Sequence, residues 1–427
     1  MGRRTLILCA AWLAVATTAP ADMPPRFGAL PPGWNVVRQF TVPADQTAAI
    51  GRRLGGKLRS LSNTILTAEG KPLRVNLLRC AAPADAATVH DAVIAAHGGS
   101  RACALRHGTT VFEFVCKDPR LIRRAHYVLG LKPRVVTYRV RFDAAPIEAA
   151  DYMAWNRLFN AFLRWNQSGG SDAARKAIDE LASRFRFGRQ IALRVRGQGK
   201  TGSRYAFDAR PVEATEAAGD VRRFTFDALP TRAGVPCVAV TATVTSEAFA
   251  FRPVRGKVGA DLLRPTAFWP VDDPEMARLA DTITAGGSTD AARVEAILAW
   301  LMPGRNLRFG SPVTGSRYGV RKVLDQGFGH CWDFSDVCVT LCRAAGVPCR
   351  QVAGWLHEQS GHIWAEVFLE GKGWQQVDPT AGMACGSDYI PYLVSETGDM
   401  TLVYLSMPEI EVVGGAGPPS RRGGETQ

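Results

Sequence analysis

Past its N-terminus the chain has no apolar run approaching the roughly 20 residues that a membrane-spanning helix requires, so no transmembrane span is expected in the mature protein. It has no dense Lys/Arg block interleaved with aromatics, the footprint of a nucleic-acid surface, although its net charge is +13. The basic residues are scattered. They read as a solvated surface, with loose attraction to an anionic cell envelope as the second reading. No Cys-x-x-Cys pair occurs, which leaves a structural zinc site without its usual ligand spacing. No repeat of 20–50 residues is visible, so solenoid and propeller architectures are not indicated.

What is present is a globular composition, 46% hydrophobic and 21% charged over 427 residues. That length suggests two or three domains. Arg3 and Arg4, the apolar stretch Leu6 to Val15 and the small residues Ala19-Pro20-Ala21 follow the order of a secretory signal. Residues 1–21 are therefore expected to be removed on export to the periplasm or cell exterior, with an uncleaved anchor as the alternative. Cys9 would leave with them. Of ten cysteines nine would remain, an odd number that leaves at least one thiol unpaired in an exported protein. Cys331 is the candidate free thiol. Cys103 and Cys116, which flank a strand-like stretch around Gly108, are candidates to face each other across a hairpin.

Residues 22–140 mix strand and helix signals and read as an α+β region. Arg74 to Leu78 and Thr110 to Val115 suggest strands. Ala86 to Ala96 and Asp118 to Leu129 suggest helices closed by glycine. Residues 141–260 begin with helical patterns near Ala149–Trp165 and Asp172–Phe185. Strand-like runs follow at Ile191–Val195, Arg222–Phe226 and Val238–Val244, so this is read as a β-rich accessory region. Residues 261–410 look like one domain, entered through Pro265, Pro270 and Pro274, with a helix from about Thr289 to Leu301. Residues 411–427 read as a flexible tail.

The chemistry concentrates in the third region. Gly329-His330-Cys331 precedes a helical pattern in which Phe334, Val337, Cys338, Leu341, Cys342 and Ala345 recur at three- and four-residue steps. Cys331 is thus expected at a helix N-terminus, where the dipole and free backbone N–H groups favour a thiolate and can donate to an oxyanion. Cys338 and Cys342 fall on the inward face as packing residues. His362 opens the strand Ile363–Leu369, a turn follows at 370–373, and Trp374–Val377 returns to Asp378. A thiol nucleophile needs a base and a group to orient that base, and Cys331, His362 and Asp378 supply one candidate for each role. A simple hairpin register puts Asp378 nearer Ala365 or Glu366 than His362, so a bulge or a diagonal reach is required. His330 and His357 are rival bases, the first expected to point away from the thiol and the second to be solvated.

Ser316-Arg317-Tyr318-Gly319-Val320 through Gly354-Trp355, then Gly361–Val367 and Trp374–Thr380, resemble the transglutaminase-like superfamily. The segment Gly346-Val347-Pro348-Cys349-Arg350 also resembles that family's pattern. The resemblance covers roughly residues 260–410 and maps the family's triad onto Cys331, His362 and Asp378. It implies a papain-like core, with a thiol-bearing helix on an antiparallel sheet that carries His and Asp. It offers Tyr318 and Gln326 as oxyanion donors, with Trp332 and Trp364 as residues supporting the site. Trp364 beside His362 shields the ion pair or simply packs. No acidic cluster like the calcium sites of animal transglutaminases is present; no metal or other cofactor is expected.

The expected function is an exported cysteine enzyme acting on amide or peptide bonds through a thioester, as a peptidase, amidase or cross-linker. Its expected partner is a protein or peptide substrate, including cell-envelope protein. The alternative is a catalytically silent module that binds envelope protein or glycan. Metal binding by the Cys/His set is a third reading, disfavoured by the spacing.

Overall fold

The computed structural model describes residues 27, 30–149, 152–195, 203–217, 221–252, 258–312, 316–359 and 361–415. The expected signal segment, residues 1–21, and residues 416–427 of the expected tail lie outside the described residues. Among those described, no helix is long and apolar enough to cross a membrane.

The chain divides into two compact units, Met1–Lys132 and Pro133–Gln427. In the first, an antiparallel sheet runs in the order Trp34–Thr41, Leu58–Ala68, Lys71–Cys80, Thr110–Val115, Ala104–His107. Leu73, Val75, Phe112 and Phe114 meet Leu121, Ile122 and Ala125 of the helix Pro119–Val128. That helix starts where the sequence demands. The Asp118 side chain accepts from the Arg120 N–H at 3.0 Å and Pro119 occupies the first turn. Cys103 and Cys116 are both free. The hairpin pairs Ala104 with Glu113, so Cys103 lies across from Phe114 and Cys116 falls two residues beyond.

The second unit joins the expected regions 141–260 and 261–410, so the boundary near 260 does not separate compact units. The strand Val135–Ala149 explains why. It pairs with Val238–Glu247 on one side and with Leu402–Tyr404 and Glu409–Gly415 on the other. One apolar core runs from Val136 through Val240 and Trp355 to Leu405. The expected tail is corrected in the same way: residues 411–415 belong to a strand, with Glu411 across from Arg139.

The second sheet of this unit holds the strands that matter for chemistry. Phe251–Arg252, Gly373–Asp378, Gly361–Leu369, Cys349–Leu356 and Tyr389–Ser395 lie side by side in that order. The helix Cys331–Ala344 packs on this sheet. Its Phe334, Val337, Cys338, Leu341 and Cys342 are buried against Ala365, Val367 and Val377. Each large side chain so buried contributes about 1.5–3 kcal/mol, which fixes the helix over the sheet. The fold is therefore mixed helix and strand, with a thiol-bearing helix on an antiparallel sheet in the C-terminal region.

Candidate active site

Cys331 is the first residue of its helix, so its backbone N–H has no partner within the helix. The turn before it is pinned by Asp333, which is fully buried. The Asp333 carboxyl accepts from the backbone N–H groups of Tyr318 (2.7 Å) and His330 (2.9 Å) and from the Ser316 hydroxyl (3.4 Å). Burial pushes this carboxyl up to about 6, against the pull of those donors. Gly329 is required by close approach: a Cβ there would lie 2.5 Å from the Asp333 Cβ.

One turn on, Asp336 accepts from Trp269 Nε1 (2.9 Å), Gln351 Nε2 (2.9 Å) and Arg317 Nε (2.6 Å). The Arg317 guanidinium also lies over the rings of Phe268 and Trp332. Ser335 donates to the Trp364 carbonyl at 2.9 Å, which ties the helix directly to the histidine strand.

His362 sits in the strand Gly361–Leu369 and is 9% exposed. Its Nε2 is 2.9 Å from Asp378 Oδ2, and Cys331 is close enough to act on its charge. With Nε2 on the carboxylate, Nδ1 is the nitrogen left to the sulfur. The Asp378 carboxylate is 2% exposed and saturated. Oδ2 also accepts from Tyr389 Oη at 2.6 Å, and Oδ1 accepts from Thr380 N (2.8 Å) and Thr380 Oγ1 (2.7 Å). Burial would raise this acid, but the charge of His362 and these hydrogen bonds hold it well below the usual carboxylate range. Burial would lower His362, yet Asp378 and then Cys331 raise it to about 10. The imidazole is therefore cationic through the neutral range.

The two strands pair without a shift from Leu369↔Gly373 to Ala365↔Val377. Continuing that register puts Asp378 across from Trp364, on the same face as His362 and one diagonal step from it, within reach of long side chains. No bulge is needed.

Trp364 is fully buried, stacks on the His362 ring with centroids 6.0 Å apart, and donates Nε1 to Gln376 Oε1 at 3.0 Å. Trp332 is 6% exposed and meets Trp155 edge-on. Tyr318 and Gln326 each have a partner of their own. The Tyr318 hydroxyl is 2.6 Å from Ser311 Oγ, and Gln326 Nε2 donates to the Phe328 carbonyl at 2.8 Å. His330 lies against Phe309, and burial lowers its pKa. His357 is half-buried against the Tyr138 ring rather than solvated. Cys338 and Cys342 are fully buried in the same core as Cys349. No group of His, Cys, Asp and Glu arranged for a metal ion occurs among the described residues.

Sequence reasoning missed Tyr389, Thr380, Asp333 and Asp336. Thr380 was legible: Asp-x-Thr after a strand is a turn in which the aspartate accepts from the backbone two residues on. Tyr389 had no local signal.

Residues 277–379 match the family model of the transglutaminase-like superfamily. An uncharacterised protein of Mycobacterium leprae is 28% identical over 141 residues, 30% of this chain and 48% of that protein. A protein-glutamine gamma-glutamyltransferase of Pseudomonas aeruginosa is 30% identical over 86 residues, 17% of this chain and 13% of the enzyme. This chain thus spans less than half the length of either relative. The crystal structure of a candidate cysteine protease from Cytophaga hutchinsonii aligns with 66% of this chain and 92% of its own, at 13% identity and a TM-score of 0.38. The thiol helix, the histidine strand and the start of the Asp378 turn all fall inside the matched segment, and the chain carries a transglutaminase-like domain at residues 277–379.

Proposed function

We propose that the chain is an exported cysteine enzyme that transfers acyl groups from amide bonds of protein or peptide substrates. Cys331 attacks the amide carbonyl and forms a thioester. His362 gives its proton to the departing amine or ammonia, and Asp378 holds the imidazole in place and stabilises its cation. Water or an amine then takes the acyl group, with His362 removing the acceptor's proton. The observation that carries this reading is His362 Nε2 held 2.9 Å from the buried Asp378 carboxylate, with the imidazole raised to about 10 and Cys331 at the start of the helix packed on the same sheet.

Similarity to a protein-glutamine gamma-glutamyltransferase supports a glutamine carboxamide as one substrate to try. Water needs no second binding site, so hydrolysis is the simpler outcome. Export rests on the basic, apolar and small-residue order of residues 1–21.

The test is release of ammonia from a glutamine-containing peptide, with and without a fluorescent primary amine. Ammonia without amine incorporation marks a hydrolase; both together mark a cross-linker. Cys331→Ala should abolish either while leaving the unfolding transition in place. Turnover that survives Cys331→Ala would overturn the mechanism. Inert wild-type protein with an unreactive thiol would move the reading to a silent binding module.

A further inference from the structure

The strand Leu402–Tyr404 lies outside the matched segment and pairs with Val135–Ala149 of the accessory sheet. Its last residue, Tyr404, is held by a cage of rings. Phe159 and Trp155 stand edge-on at 4.8 and 4.9 Å, with Trp355 and Tyr392 at 6.2 and 6.3 Å. Four aromatic contacts fix the ring and leave the hydroxyl as its polar tip. That tip lies over Gly361, the residue before His362: a Cβ on Gly361 would be 2.6 Å from Tyr404 Oη. Any other residue at 361 would drive the hydroxyl away. Tyr404 and Cys331 sit on the rim of the same apolar core.

We propose that Tyr404 is a catalytic residue of the Cys331 reaction, donating its O–H to the carbonyl oxygen as that oxygen becomes negative. This inference rests on the acyl-transfer reading above. When Sγ attacks, the C–S bond forms and the carbonyl π pair moves onto oxygen. Tyr404 Oη–H and the Cys331 backbone N–H hydrogen-bond that oxygen, and no proton leaves the tyrosine. The pair then returns, the C–N bond breaks, and the amine departs with the proton of His362. Burial first, and then Cys331, push the Tyr404 phenol well above its usual range, so it remains a donor throughout. The accessory sheet thereby completes a site whose other members lie in or beside the matched domain.

The test separates two reactions of the same thiol. Acylation by p-nitrophenyl acetate passes through an oxyanion; alkylation by iodoacetamide does not. Tyr404→Phe keeps the ring and should slow acylation about 100-fold while alkylation stays within about twofold. Gly361→Ala should also slow acylation, and adding it to Tyr404→Phe should cost little more, since both remove the same hydroxyl. Acylation by Tyr404→Phe at the wild-type rate would overturn the inference. Equal slowing of both reactions would overturn it too, because the tyrosine would then act on the sulfur alone. Wild-type protein that alkylates but does not acylate would sink the acyl-transfer reading itself, and this role with it.

Discussion

His362 feels burial, which disfavours its charge, and Asp378 and then Cys331, which favour it; the latter win and carry it from its ordinary 6.5 to about 10. The linkage follows with a definite sign. A raised histidine contributes stability that is complete below pH 6.5 and lost as pH rises through 10. Asp378, held below its ordinary 3.8, contributes stability above that pH and loses it in acid. Asp378→Asn should therefore cost most between about pH 4 and 6.5, with the difference from wild type shrinking on either side, measured by urea unfolding across pH. Tyr389→Phe removes one donor to Asp378. A hydrogen bond to a charged group is worth about 1.5–3 kcal/mol, so kcat should fall roughly ten- to hundredfold with KM nearly unchanged. Cys331, His362 and Asp378 were legible as candidates because each sits in a distinct local signal: helix start, strand start, strand end. Their supports were not. Tyr389 reaches Asp378 only because the connection between their strands, which are not adjacent in the sheet, folds back to bring residues 11 apart together, and no periodicity records that.

At the scale of elements, the thiol helix owes its start to Asp333 more than to the dipole alone. Asp333→Ala would free the N–H groups of Tyr318 and His330 and lose a helix cap worth about 0.5–2 kcal/mol, visible as a lower urea midpoint with an unchanged slope. The helix itself, the hairpin 361–378 and the strand Val238–Glu247 follow periodicities present in the sequence. The strand Val135–Ala149 is equally legible in its alternation. Val136, Tyr138, Val140, Phe142 and Ala144 are buried in alternation with Thr137, Arg139, Arg141 and Asp143, but the expected boundary at 140 cut the pattern in half. Trp34–Thr41 was not legible, because only Trp34 is buried and the rest face solvent.

At the scale of the whole molecule, the second unit is stitched from both ends of its sequence. Glu366, 1% exposed, takes Arg350 of the neighbouring strand (3.0 Å), Arg252 (3.1 Å) and Arg194 of the strand Gln190–Arg194. Its carboxyl is driven below the usual range by those three cations, against burial. Glu366→Gln would remove the one carboxylate shared by these three guanidinium groups and should cost about 3–5 kcal/mol, read by chemical denaturation. The same stitching predicts that residues 261–399 alone show no cooperative unfolding transition, since the core shared with Val135–Ala149 and Leu402–Tyr404 would be open to water. Long-range pairing of this kind is invisible to local pattern, which is why three regions were expected where two units fold.

The central claim is that His362, held as a cation by Asp378, activates Cys331. It is tested most directly by the rate of iodoacetamide alkylation at Cys331 at pH 6, followed by peptide mass spectrometry in wild type and His362→Ala. Labelling at least about tenfold faster in wild type is the predicted result, as an imidazolium beside the sulfur favours the reactive thiolate. Equal rates in the two proteins would contradict the account.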